Sequence, residues 1–499
     1  MKRISLTKLN IAGSVLLRIV SGVCGLILPR YVLRSFGSEV NGLVASVTQL
    51  LSYAALLEGG IGGVMKAALY KPLADEDDAG ISGIFYQISR TFWKIAVVFI
   101  CLAVGLSVLM KFLVDTQYDW LYVFTMVLIL SGHTFFSYYV GLPHRILMTA
   151  DQKLYIIQFT QSFATVLNLL LCLLVMHFGG GIHAVKLTTL AIALLNPVVQ
   201  ILYVKRHYNL TPKAKTVDSG HIQKRDGVIH HLTYFIHRNT DVVILSLFGS
   251  LHTVSVYTVY NTVIYVLEQL LLSISSGLSG LVGRLIAKKE IAELNGIVDR
   301  YEACNNMLST AVATVCAILI LPFVAVYTGG VTDAQYHQPV FAMLLIAGSY
   351  AYSIRHPFGC VVSAAGHYKQ TKLGAIVEMA LNLGLSLILV KPLGLIGVAL
   401  GTFVAMSFRT VYTVWYLSKH ILHRPVWRFV QKLACNLLVS AVLIDLVSRF
   451  MVTTASDILG LLLCAIKVSA VVFPAFLLVN GLLSIRIVKE EIRKRRTGS

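Results

Sequence analysis

Apolar runs of twenty or so residues recur along the whole chain, separated by short polar or glycine- and proline-bearing stretches. A run of about 20 residues is what a helix needs to cross a hydrocarbon layer at 1.5 Å per residue. Fourteen stretches meet that requirement: 9–33, 42–65, 92–113, 119–141, 154–177, 182–204, 229–248, 253–282, 302–327, 337–358, 370–390, 393–418, 430–450 and 458–484. In lipid each segment must pair its own backbone groups, so the runs are read as helices. The pattern predicts an all-α polytopic membrane protein with about 14 transmembrane helices.

Composition narrows the class further. Of the 499 residues 57% are hydrophobic and only 13% charged, about half the charged share of roughly 25% in soluble domains. A soluble globular fold, a disordered chain and a collagen are excluded on those numbers. The eight cysteines contain no CxxC pair and lie mainly within the apolar runs, where a thiol acts as a small hydrophobe. No disulfide framework or metal site is expected.

The net charge of +19 would suggest nucleic acid in a soluble protein, but topology accounts for it. An even number of crossings after the basic Met1–Lys8 segment puts both termini in the cytoplasm. The outer loops then hold only Arg34, Lys111, Lys391 and Arg449 as bases, and the excess of Lys and Arg falls on the inner side. The first apolar run exceeds a signal-peptide h-region, so it reads as a membrane helix. The basic tail 486–499 reads as an anchor to anionic lipid.

The two halves repeat at a nearly constant offset. Phe36-Gly37-Ser38 recurs as Phe248-Gly249-Ser250. Farther on, Pro143, Ala150, Asn168, Gly180 and Thr188 recur as Pro357, Ala364, Asn382, Gly394 and Thr402. Six crossings per copy keep both copies in the same orientation, the parallel-repeat arrangement of many transporters. The organisation is a six-helix lobe over 1–204, a basic cytoplasmic linker over 205–228, a second six-helix lobe over 229–425, two extra helices over 426–485 and the tail.

Ionisable residues inside the runs are Arg18, Arg30, Glu58, Lys186, Arg238, Asp241, Glu268, Glu378, Arg409, Asp445 and Lys467. Each costs at least about 2.5–3.5 kcal/mol at mid-bilayer when it faces lipid. Ser14, Arg18, Ser21, Gly22 and Gly25 share one helical face, and small residues there leave room around a guanidinium. Arg18, Arg30 and Arg238 stand at three depths and form the candidate substrate-binding set, since a planar guanidinium suits phosphate. The competing reading is that each arginine only pairs with a carboxylate. Glu58, which opens the glycine-rich break Glu58–Gly63, is an ion-coupling residue or the counter-ion of Arg18. Asp241, Glu268 and Glu378 join it as ion-coupling or counter-ion candidates, the coupling cation being Na⁺ or H⁺. Asp445 and Lys467 read as a structural pair. The run Asp75–Asp78 precedes a helix and reads as its cap rather than a metal site. No phosphate-binding GxxxxGK[ST] loop is present, and no cofactor is expected.

The stretch Pro29–Leu43 resembles bacterial polysaccharide flippases of the Wzx type. So do Leu51-Ser52-Tyr53, Leu57–Gly62, Lys71-Pro72-Leu73-Ala74, Arg238-Asn239-Thr240-Asp241 and Val256-Tyr257. The resemblance covers most of helices 1–12 and places the chain in the multidrug/oligosaccharidyl-lipid/polysaccharide exporter superfamily. It implies two six-helix lobes around a cavity, working by alternating access. It also implies translocation of an undecaprenyl-diphosphate-linked oligosaccharide across the bacterial cytoplasmic membrane, with a polysaccharide polymerase and glycosyltransferases as pathway partners. One departure is the absence of a proline on helix 8 after Leu270–Ser279. The rival reading is a cation-coupled multidrug antiporter of the same superfamily. An enzyme, such as a membrane polysaccharide polymerase, would need a large outer loop or catalytic domain, and the chain has neither.

Overall fold

In the computed structural model the described residues are 2–53, 61–136, 139, 141–211, 239–276, 279–288, 290–451 and 457–496. Among them there is no strand. Nine helices are long and apolar enough to cross a membrane, and two shorter apolar helices accompany them. The chain is a multi-pass α-helical membrane protein.

It folds as two compact units, Met1–Thr258 and Val259–Ser499. The first unit holds α1 (Lys2–Ser52), α2 (Ile61–Ala74), α3 (Asp78–Leu113), α4 (Trp120–Phe135), α5 (Leu142–Ala150), α6 (Leu154–His177), α7 (Ile182–Ala193) and α8 (Leu195–His207). It also holds α9 (Asn239–Phe248) and the start of α10 (Leu251–Ser276). The second unit continues with α11 (Ser279–Lys288), α12 (Ile291–Tyr327), α13 (Pro339–Ile354), α14 (His356–Ala364), α15 (Tyr368–Leu393), α16 (Leu395–His420), α17 (Trp427–Phe450) and α18 (Ile458–Arg496). Most of the expected linker lies outside the described residues.

The element boundaries have local causes. Helix α1 contains two predicted crossings joined at Gly37, whose φ of 81° and ψ of 177° suit glycine. The cap predicted at Asp75–Asp78 is made by Asp77, whose carboxylate accepts from the Ala79 and Gly80 amides at 3.1 and 3.0 Å. The predicted crossing 337–358 is interrupted, and a new helix begins just after the crossing 119–141. Helices α5 and α14 restart with Pro143 and Pro357 in their first turns, where a missing N–H is harmless.

That shared break carries the repeat into the structure. A second match lies deeper in each copy. Cys172 Sγ reaches the Val185 carbonyl at 3.6 Å, and Ser386 Oγ reaches the Val398 carbonyl at 3.5 Å. Asn382 donates to Thr402 at 2.8 Å, both being residues the offset singles out.

Packing in the first unit centres on Leu43, Val47, Leu69, Ile88, Phe92 and Leu147. In the second unit the extra helices α17 and α18 pack on α12 through Val447, Cys464, Val468, Val472 and Phe476. A polar tie supports that seam, Thr314 to Ser440 at 2.7 Å. Side-chain hydrogen bonds and close packing hold helices together where lipid removes the hydrophobic drive.

Candidate functional site

The first half of helix α1 is fastened to α6 by polar contacts. Asn10 donates to the Gln152 carbonyl at 2.9 Å and accepts from the Tyr155 amide at 2.7 Å. Gln158 donates to Ser14 at 2.6 Å, and Gly13 faces the Gln158 side chain. This polar ladder binds α1 to α6. Away from that ladder Arg18, Ser21 and Gly25 are exposed, and a Cβ added at Gly22 or Gly25 would meet no atom within 4 Å. Arg30 is half-buried on the same helix, about 18 Å farther along the axis. Arg238 and Glu58 lie outside the described residues. Asp241 is buried at 4% exposure and accepts from the Tyr257 hydroxyl at 3.0 Å.

The corner after Arg30 accounts for the residues that carry the flippase resemblance. Glu39 accepts from the Thr116 hydroxyl at 2.7 Å and the Gln117 amide at 2.9 Å, tying the corner to the α3–α4 loop. Asn41 donates to Ser255 at 2.9 Å. Gly42 packs against the Leu251 carbonyl so closely that a Cβ would collide with it. Ser46 accepts from Ser246 at 2.6 Å, and Gln49 and Ser52 both reach the Asn239 side chain. The second half of α1, α9 and the start of α10 are thus laced together by small polar groups.

In the second unit Glu268 is buried at 4% exposure and accepts from Ser349 at 2.7 Å. It borders a small cavity of about 20 Å³ with Ser309, Ser349, Tyr350 and Ser353, room for about one water-sized occupant. Ser309 Oγ has no hydrogen-bond partner among the described residues, and neither does the nearby Asn306 Nδ2. Glu378 has a different setting. Its Oε1 takes Arg355 Nη1 at 3.0 Å and its Oε2 takes Arg409 Nε at 3.5 Å. The structure therefore makes Glu378 a counter-ion of two arginines.

Arg355 is absent from the sequence-derived set, although it lies within the predicted run 337–358. Two other clusters also lie outside that set. In the N-terminal third of α12, Arg424 pairs with Asp299 and Glu302, and Lys432 adds a contact to Glu302 at 3.3 Å. Burial, with Arg428 nearby, brings the Arg424 guanidinium down to about 10. Below α5, Asp151 takes both Lys153, at 2.8 Å, and the Tyr208 hydroxyl. Burial, then Asp151, pushes the Tyr208 phenol up. The expected Asp445–Lys467 pair is not formed. Asp445 instead holds Arg449 one turn on, at 2.6 Å, because an i, i+4 partner on its own helix is nearer than one on α18. Among the described residues no three His, Cys, Asp or Glu side chains gather as a metal site.

No family model and no curated protein sequence matches the chain. Solved structures do. The chain is similar to the lipid II flippase MurJ in its inward closed conformation, with a TM-score of 0.73 and 15% identity over 96% of this chain and 100% of that one. It is also similar to an inward-facing multidrug resistance MATE family transporter of the MOP superfamily, with a TM-score of 0.58 and 14% identity over 81% of this chain and 94% of that one. The Vibrio cholerae MATE transporter VcmN in the bent form gives a TM-score of 0.54 and 14% identity over 84% and 97%.

Proposed function

From a fold shared with flippase and multidrug-transporter structures, we propose that this chain is a flippase. It moves a lipid-linked oligosaccharide across the bacterial cytoplasmic membrane by alternating access, for cell-surface polysaccharide synthesis. Both termini are cytoplasmic, and its function is transport rather than covalent chemistry. The observation that carries the reading is the small-residue face of α1, where Arg18 is exposed and a Cβ at Gly22 or Gly25 would meet no atom within 4 Å. A guanidinium on a roomy membrane face suits an anionic diphosphate and disfavours the cationic substrates of an antiporter. The MurJ structure also pairs with 96% of this chain, against 81% and 84% for the two MATE structures, which supports the flippase reading.

Arg18 and Arg30 contact the diphosphate, and Arg238 is their partner from the second group of helices in the sequence. The coupling cation, Na⁺ or H⁺, is assigned to Glu268 and the small cavity it borders with Ser309 and Ser349, with Asp241 and Glu58 as the acids on the first unit. Glu378 is occupied by two arginines and is left out of the coupling set. A polysaccharide polymerase and glycosyltransferases act on the same lipid before and after the flip.

The test is surface-polymer export in cells carrying Arg18 variants. Removing one charge-assisted phosphate contact costs roughly 1.5–3 kcal/mol of binding. Arg18→Ala should therefore lower export about tenfold or more. Arg18→Lys should fall between Ala and wild type, since it keeps charge and loses the fork. Normal export by a well-expressed Arg18→Ala protein would refute the assignment.

A further inference from the structure

The triad on Glu378 carries one positive charge too many. Both carboxylate oxygens are used, one by Arg355 and one by Arg409, so in these pairs of the described residues one carboxylate faces two guanidinium charges. The side chains are only 13%, 8% and 11% exposed for Arg355, Glu378 and Arg409. Glu378 lies ten residues into α15 and Arg409 eleven residues before the end of α16, about 15–16 Å from those cytoplasmic helix ends. The excess charge is therefore deep in the membrane, where it is costly.

The remaining contacts of the two arginines do not offset it. Arg409 Nη1 donates to the Thr371 carbonyl at 3.0 Å. The Tyr412 ring lies 5.8 Å from Arg409, and the Tyr352 ring 5.2 Å from Arg355. Ring contacts of this kind contribute about 0.5–2 kcal/mol, less than an unpaired buried charge costs. Arg355 gives the carboxylate one N–H of its five. The fold itself does not require these charges. At the repeat offset of 214, Arg355, Glu378 and Arg409 correspond to Gly141, Ala164 and Leu195. The first copy builds the same proline-led break, at α5, with none of the three.

We propose that Arg355 and Arg409, bridged by Glu378, form an anion-binding site of the phosphate class in the second unit. The occupant is the diphosphate of a prenyl-linked headgroup, a clause that rests on the flippase reading. Arg355 and Arg409 bind it, and Glu378 offsets one of their two charges. This gives the transported headgroup a station separate from Arg18 on α1.

The proposal is tested with purified full-length protein in detergent, titrated with geranylgeranyl diphosphate, inorganic pyrophosphate and geranylgeraniol. Thermophoresis gives the affinity and size exclusion gives the fold. Wild type should bind the prenyl diphosphate at two classes of site and geranylgeraniol at neither. Arg355→Gln and Arg409→Gln should each weaken one class at least tenfold, and Arg18→Ala should weaken the other. Glu378→Gln, which leaves both arginines and raises the local charge, should retain or tighten the triad's affinity. Pyrophosphate binding at the triad would show that phosphate suffices, and binding of the prenyl diphosphate alone would show that the lipid is read too. Should Glu378→Gln weaken binding as the arginine variants do, the triad is a structural ion pair and the proposal falls. It falls equally if folded Arg409→Gln protein keeps both classes, or if an arginine variant that fails to fold leaves a wild type with only the Arg18 class. Loss of only the Arg18 class from wild type would overturn the flippase site while leaving the triad standing.

Discussion

Arg424 shows how charge is handled at the membrane edge. It sits in the loop between α16 and α17 and gathers Asp299 and Glu302 from the start of α12, while Lys432 on α17 also reaches Glu302. Glu302 is 1% exposed, so removing a partner leaves a buried carboxylate short of compensation. Arg424→Met should lower stability by about 3–5 kcal/mol, seen as an earlier loss of the monodisperse peak on heating before size exclusion. Asp299→Asn, at a position about one-third exposed, should cost less than about 1 kcal/mol. Equal losses in the two variants would contradict this division. None of these pairings is legible in the sequence, because the partners lie more than 100 residues apart and no period links them. Arg355 is the opposite case. It stands inside an apolar run, before His356-Pro357, and the same reasoning that selects Arg409 applies to it. The Asp445–Lys467 pairing fails because similar depth on two helices says nothing about which faces meet.

At the scale of elements the apolar pattern predicts most of what is seen. The run 154–177 coincides with α6, and 430–450 falls within α17. The run 182–204 is divided into α7 and α8 near Leu194, where Asn196-Pro197 opens the next helix. Proline cannot continue a ladder that needs its N–H, so that break is written in the sequence though hydropathy passes over it. The run 253–282 spans α10 and α11, with 277–278 outside the described residues, and it lacks the proline that the flippase resemblance leads one to expect there. Two glycines show how an element's neighbours decide a substitution. Gly42→Ala drives a methyl into the Leu251 carbonyl and should destabilise by about 1–3 kcal/mol or more. Gly25→Ala meets open space and should be neutral or stabilising by up to about 1 kcal/mol, since alanine is the better helix former. Melting of the two variants in one detergent checks the pair. A Gly42→Ala protein as stable as wild type would mean that the second half of α1 and α10 do not touch there.

For the whole molecule, the repeat and the charge asymmetry are readable because they are global properties that no single contact sets. Twofold recurrence of a proline-led break, at α5 and α14, is the structural counterpart of the offset seen in sequence. The positive-inside distribution predicts that the 205–228 loop is cytoplasmic. A cysteine at Lys215, in a background with the eight native cysteines replaced, should react with a membrane-impermeant maleimide only in opened cells. Labelling in intact cells would overturn the fourteen-crossing topology. Arg18 and Glu58 illustrate what stays hidden. The sequence leaves Glu58 as either an ion-coupling residue or the counter-ion of Arg18, and Glu58 lies outside the described residues, while Arg18 is exposed on its helix.

Transport of a prenyl-diphosphate-linked sugar is tested most directly by reconstitution. Purified protein is placed in liposomes that carry a fluorescent, short-chain prenyl-diphosphate disaccharide in both leaflets, and an impermeant quencher is added outside. A flippase brings inner-leaflet lipid to the quencher, so fluorescence should fall by about half at once and then decay further toward zero. Arg18→Ala liposomes should show the second phase slowed about tenfold or more, in line with the loss of one charge-assisted contact. A wild-type trace that stops at the first phase, as in protein-free liposomes, both with and without an imposed Na⁺ or H⁺ gradient, would contradict the account.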